Sequence, residues 1–243
     1  MTVNQQSETA LVCIHQPDFF PWLGFFDKIV RANTFIILDD VQFPKTGGTY
    51  CNRVKIMVNG QQLWITAPVS RAYTGVKLIN QIELQSGLQW QEKIFKTVFH
   101  GYRKAPFFNE IIRILEPLIK NSEKNLSAYN INAIIKICEV LDIKSQILFK
   151  SSNLSHAGSS TTLLISLVDA VKGNAYLCGT GSLNYQDDSL FKKSGIHLIH
   201  RNFIHPSYKQ YTENNFISGL SIIDALMHCG VSGVKKLILK ENL

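Results

Sequence analysis

At 243 residues, with 45% hydrophobic and 18% charged side chains, the chain has a globular composition, long enough to bury a core and short enough to be a single domain over residues 1–243. No run approaches the roughly 18 consecutive apolar residues of a membrane span, and the polar start MTVNQQSET has neither the basic residues nor the apolar stretch of a secretory signal, so a cytoplasmic protein is expected. A net charge of +7 favours anionic partners, whether nucleotide sugars, acidic carrier proteins, tRNA or membrane headgroups, although lysines scattered without a basic run or arginine-rich arm equally suit a solvated surface; DNA is not an expected partner.

Ala10 to Ile14 is a short apolar run with the pattern of a strand buried on both faces. Pro21 suits the first turn of a helix, in which Trp22, Phe25, Phe26, Ile29 and Val30 recur at three- and four-residue spacing. Thr34 to Leu38 reads as a second buried strand, so the opening is a parallel βαβ unit. The stretch DDVQFPKTGGTYCNRV then reads as a loop, and the segments around Asn59-Gly60 as a β-hairpin that departs from the parallel sheet. Residues 88–141 turn helical, in three segments for which Pro106 and Ser127 are candidate starts. After them QILFK is a strand, Thr161 to Val171 a helix, Ala175 to Cys178 and His197 to Ile199 further strands, and the closing segment a helix broken near Gly230. The fold class is α/β: a largely parallel central sheet with flanking helices, a β-hairpin excursion and a helical insertion.

The five cysteines, Cys13, Cys51, Cys138, Cys178 and Cys229, form no CxxC and fall at no zinc-ligand spacing with a histidine, so neither disulfides nor a metal is expected. In apolar runs such as LVCI and YLCG a free thiol serves as a small hydrophobe.

His15 falls at the end of strand one, in the segment IHQPD, where a parallel sheet binds its ligands. Gln16, Asp18 and Trp22 follow it as substrate contacts. Asp39 and Asp40 hold the equivalent end of strand two, and either carboxylate can orient His15 and stabilise its imidazolium as the ring takes a proton. Asn52 is followed by Arg53 and Lys55, which, two residues apart on a strand, project to one face where they can hold a diphosphate or a carboxylate. The loop GTGSLNY follows a strand and contributes Gly179, Thr180, Gly181, Ser182 and Tyr185, although it lacks the spacing of a dinucleotide fingerprint and the lysine of a P-loop. FIHPSYKQY adds His205, Tyr208 and Gln210. Each residue also has a plain alternative: aromatic packing, a turn cap, or edge-strand charges that block aggregation.

In order along the chain, HQPDFFPWLGFFDKI, LDDVQFPK, CNRVKI, WITAPV, YRKAPFF, YLCGTGSLNY, HPSYKQY and LSIIDALMHCG resemble the signature blocks of the WbqC-like family. The family is associated with gene clusters for bacterial O-antigen and other surface polysaccharides. The resemblance implies an N-acyl or aminoacyl (for example glycyl) transferase acting on the amine of a dideoxy amino sugar linked to dTDP or UDP. For that chemistry the resemblance implies His15 with Asp39 or Asp40 as the base, Asn52 or a loop N–H as the oxyanion donor, Arg53 with Lys55 as the diphosphate clamp, and no tightly bound cofactor. The acyl donor would be a carrier-protein thioester or coenzyme A, or else aminoacyl-tRNA. The opening also resembles nucleotidyltransferase-like α/β proteins but lacks their HxGH and KMSKS-like motifs. An ATP-dependent ligase and a non-catalytic nucleotide-sugar-binding or scaffold protein are the rival readings.

Overall fold

The computed structural model describes residues 9–87, 89–143, 148–179, 186–210 and 215–239. The strands are β1 (Leu11–His15), β2 (Thr34–Ile37), β3 (Arg53–Val58), β4 (Gln61–Thr66), β5 (Leu148–Lys150), β6 (Ala175–Gly179) and β7 (His197–Arg201). The helices are α1 (Leu23–Arg31), α2 (Gln89–Tyr102), α3 (Phe108–Ile119), α4 (Leu126–Val140), α5 (Ser160–Ala170), α6 (Asp188–Lys193) and α7 (Ile222–Leu239). The protein is α/β: five strands form a parallel sheet, and β3 and β4 form a separate antiparallel hairpin. No helix among the described residues is long and apolar enough to cross a membrane. The chain divides into two compact units, one drawn from Met1–His15, Arg31–Leu38 and Ser145–Phe203, the other from Gln16–Val30, Asp39–Lys144 and Ile204–Leu243.

The first unit holds the parallel sheet, in the order β5-β2-β1-β6-β7. Central β1 and β6 are apolar and almost wholly buried, as strands covered on both faces must be. On one face Val12, Ile14, Ile36, Tyr176 and Cys178 form a core with Leu164, Leu167 and Val168 of α5 and Phe191 of α6. The Tyr176 and Phe191 rings stack there with centroids 5.2 Å apart. From β1 the chain runs outward through β2 to β5 and later through β6 to β7 on the other side. The order therefore reverses between β1 and β6, the place where open parallel sheets bind ligands beyond the strand ends.

In the second unit α1 begins at Leu23, two residues after Pro21, because tertiary contacts hold the preceding backbone out of the helix. Pro21 O accepts from Ile222 N at 2.7 Å, and Trp22 bridges to Ser221. The Trp22 indole lies over Gly24, where an added Cβ would stand 2.4 Å from the ring. The hairpin turns at Asn59 and Gly60, with φ of 51° and 74°, as the Asn-Gly pair dictates.

Between β4 and β5 lie the three expected helices, α2, α3 and α4. Residue 88, the expected start of this segment, lies outside the described residues. Two helix starts differ from expectation: α3 begins at Phe108, past Pro106, and α4 is capped by Asn125, whose side chain accepts from Ala128 N, while Ser127 is buried. The break in α7 is at Gly230, where φ is 67° and a Cβ would lie 2.5 Å from the Phe107 ring.

Candidate functional site

Two groups of candidate residues come together within the second unit. The first is built where Gln16–Phe20 packs against Thr49–Asn52. Asn130, fully buried on α4, donates its Nδ2 to Pro17 O at 2.8 Å and Cys51 O at 2.7 Å. Phe19 N donates to Tyr50 O at 2.8 Å. These bonds hold Asp18 in the interior, at 6% exposure. The Cys51 thiol donates toward Gln16 Oε1 at 3.4 Å, with Asp18 Oδ1 4.0 Å away. Burial pushes the Asp18 carboxyl up to about 7, an effect the charge of Lys28 only partly opposes. Such a carboxyl both gives and takes protons at neutral pH. Burial and the nearby Asp18 charge push the Cys51 thiol far above its ordinary value, which keeps it protonated.

Asn52, placed by sequence as an oxyanion donor, closes its own turn. Its Oδ1 accepts from Thr49 N at 3.0 Å and its Nδ2 donates to Ala67 O at 3.2 Å. Arg53 and Lys55 do project to one face of the hairpin. Between them on that face stands Trp64, 38% exposed, with the Arg53 guanidinium carbon 4.4 Å and the Lys55 Nζ 5.3 Å from its ring. Lys55 Nζ also donates to Gln62 Oε1 at 2.7 Å, and the exposed Tyr50 ring lies 6.0 Å from the indole. Trp64 and Tyr50 were missed by sequence reasoning. The Asn59-Gly60 turn carried the signal for Trp64, since pairing Val58 with Gln61 brings Lys55 opposite Trp64.

The second group centres on Asp224, a fully buried residue of α7. Its Oδ1 accepts from Tyr102 at 2.9 Å, and its Oδ2 from Tyr208 at 2.7 Å and from Gln210 Nε2 at 3.0 Å. Burial and the Asp224 charge push both phenols far up, so both remain donors. His228, one turn along the helix, bonds through Nδ1 to Asp224 O at 2.8 Å. Gln210 exchanges two further bonds with the Ile217 backbone, and the His205 ring packs against Trp22, Tyr208 and Phe216. Tyr208 and Gln210, read from sequence as ligand contacts, thus direct a hydroxyl and an amide nitrogen at Asp224. The aspartate hides in the apolar run SIIDALMHC, where only its i,i+4 spacing to His228 marks it.

In the first unit His15 ends β1, and its carbonyl accepts from Leu38 N at 2.8 Å. Asp39, 2% exposed, and Asp40 belong to the second unit, where the Asp39 carbonyl accepts from Asn80 N. Gly179 ends β6, whereas Thr180, Gly181, Ser182 and Tyr185 lie outside the described residues. Next to Gly179 the structure brings together three residues that sequence reasoning did not join. Cys178 Sγ is 3.2 Å from His200 Nδ1, and His200 Nε2 is 3.0 Å from Asp188 Oδ2. No local spacing signals this group, because the β6–β7 register makes it by setting Cys178 beside His200.

A model of the WbqC-like protein family matches residues 16–236. Among curated proteins, the uncharacterized protein Rv1507c of Mycobacterium tuberculosis is 29% identical over 222 residues, spanning 90% of this chain and 94% of that protein. No solved structure matches.

Proposed function

The chain belongs to the WbqC-like protein family, and from that premise we propose that it transfers an acyl or aminoacyl group, such as glycyl, to the amine of a dideoxy amino sugar. The sugar is carried on dTDP or UDP, and its modified form enters a bacterial surface glycan. The donor is a thioester of a carrier protein or of coenzyme A, ahead of aminoacyl-tRNA. One observation carries the reading: an exposed indole with a guanidinium and an ammonium beside it on a single hairpin face, at Trp64, Arg53 and Lys55. An aromatic plane takes a nucleobase by stacking, and adjacent cations take a diphosphate.

Amide formation also requires that the attacking amine lose a proton. His15, and Asp18 with its carboxyl at about 7, are the two groups of the HQPD segment suited to accept it. The fully buried Asp224 network holds the loop carrying Tyr208 and Gln210, and supports the fold on which this chemistry rests.

The test has two arms. Calorimetry with dTDP and UDP should show binding, weakened by roughly 1–3 kcal/mol in Trp64→Ala. Mass analysis of reactions pairing nucleotide amino sugars with acetyl and glycyl thioesters or glycyl-tRNA should show one amide product, lost in His15→Gln or Asp18→Asn. Nucleotide-sugar binding without amide formation from any donor would make the protein a binding module. Product formed only with ATP, in step with AMP or ADP, would make it a ligase.

A further inference from the structure

The three residues at the carboxyl end of the parallel sheet have no part in the roles given above. Cys178 is the penultimate residue of β6, His200 the penultimate residue of β7, and Asp188 the first residue of α6. All three belong to the first unit. They lie beside the reversal of strand order between β1 and β6, where parallel sheets place ligands.

Four of the five cysteines, including Cys178, are buried, and a buried thiol is ordinarily core. Cys178 differs from its counterparts in its surroundings. It has an imidazole nitrogen at 3.2 Å, closer than the Ile199 carbonyl at 3.5 Å. The imidazole is held from behind by a carboxylate, and the outer parts of this pair reach solvent, at 40% exposure for His200 and 58% for Asp188. Gln186 completes the group. Its Nε2 points at Cys178 Sγ from 3.8 Å and at Asp188 Oδ1 from 3.4 Å, while its buried Oε1 finds no donor among the described residues.

We propose that Cys178, His200 and Asp188 are a nucleophilic triad, in which the Cys178 sulfur takes the acyl group from a thioester donor and carries it as an acyl-cysteine. The proposal rests on the acyl-transfer reading of the protein's function. Asp188 accepts the Nε2 proton of His200 and so leaves Nδ1 free to take the thiol proton. The sulfur attacks the donor carbonyl, with Gln186 Nε2 the donor nearest to the oxyanion. The new carbon–sulfur bond forms as the donor's carbon–sulfur bond breaks, and the proton on Nδ1 leaves with the donor thiol. In the second half the sugar amine attacks the acyl-cysteine. The carbon–nitrogen bond forms, the bond to Sγ breaks, the amine gives its proton to His15 and through it to water, and the departing sulfur takes a proton from water through His200 Nδ1. One thioester and one amine become one amide and one thiol. Cys178 is buried at the edge of the core on this sheet face, with His200 and Gln186 against its sulfur, so acylation requires the Gln186 side chain to turn aside.

The experiment is acylation of the whole chain by S-acetyl-N-acetylcysteamine without sugar, read by intact mass and peptide mapping. One acetyl group on Cys178 is expected, absent from Cys178→Ala and Cys178→Ser, and formed roughly 10²–10⁴-fold more slowly in His200→Ala. Asp188 is a positioning residue, and Asp188→Asn should shift the pH profile of acylation, which a purely structural role would leave in place. Acetyl found elsewhere, or none on Cys178 of the wild type, overturns the triad. If Cys178→Ala makes amide product at the wild-type rate, the triad falls and the transferase reading stands. If Cys178 is acylated but no nucleotide amino sugar accepts the group, the triad stands and the sugar acceptor falls.

Discussion

Two acid–histidine pairs in this molecule share their chemistry and differ in their surroundings. In the second unit Asp224 and His228 have side chains 0% and 3% exposed, and the aspartate is met by two phenols and an amide. In the first unit Asp188 and His200 are 58% and 40% exposed, and the second ring nitrogen of His200 faces a thiol. In the first pair the carboxylate is taken up by protein donors and His228 Nδ1 by the Asp224 carbonyl, and both side chains are closed off from solvent. The second has solvent on one side and a nucleophilic atom on the other. A carboxylate beside an imidazole is therefore not a functional signal in itself; what the remaining atoms of the pair touch decides its use.

The strongest way to break the comparison is to remove the buried acid. Asp224→Ala leaves Tyr102, Tyr208 and Gln210 without their acceptor in the interior. At roughly 1–3 kcal/mol for each orphaned donor, the variant should lose about 5 kcal/mol, a large share of the stability of an ordinary domain. Urea denaturation measures this. A loss below about 1 kcal/mol would show that the network fastens nothing, and Asp224 would then compare with Asp188 as a site residue.

Asp18 is also buried, and burial pushes its carboxyl up to about 7 from the ordinary 3.8. Between those values the folded protein holds a proton that the unfolded chain has released, so the group costs stability as pH rises. The cost is absent below about pH 4 and complete above about pH 7, where it reaches as much as about 4 kcal/mol at roughly 1.4 kcal/mol per pH unit. Asp18→Asn should therefore match the wild type near pH 4 and exceed its stability near pH 8. If Asp18 accepts the amine proton, the same variant is inactive. A stabilised, inactive protein is the outcome expected when a site residue is kept at the expense of the fold. Equal stability of the two proteins at both pH values would mean that the carboxyl is not held up by burial.

Much of the fold was legible because local signals agree with it. Apolar runs mark β1, β2 and β6, three- and four-residue spacing marks the helices, and Asn59-Gly60 marks the hairpin. The departures lie where tertiary contacts override local preference. Pro21 is held outside α1 by its bond to Ile222, and Asn125 takes the cap that Ser127 was expected to help form. Less of the candidate site was legible. Arg53 and Lys55 follow from strand period, and Asp18 from its place after β1. Asp224 was hidden because it interrupts an apolar helix face, where a single acid reads as noise. Cys178 and His200 were hidden because they are 22 residues apart and meet only through strand register.

The smallest effect sharpens the comparison most. Asp188→Ala removes an exposed acid from the first turn of α6, whose cap is the neighbouring Asp187 bonding Ser189 N at 2.9 Å. The favourable placement of one carboxylate at a helix start and one exposed hydrogen bond to His200 together contribute about 1 kcal/mol or less. Urea denaturation should thus barely distinguish Asp188→Ala from the wild type, against the large loss in Asp224→Ala. The comparison turns on separating stability from reactivity: an acid that fastens the fold moves the denaturation midpoint, and one that orients an imidazole moves the chemistry of the thiol behind it. Should Asp188→Ala unfold the protein instead, the exposed pair would be a fastener as well, and the contrast between the two histidines would vanish.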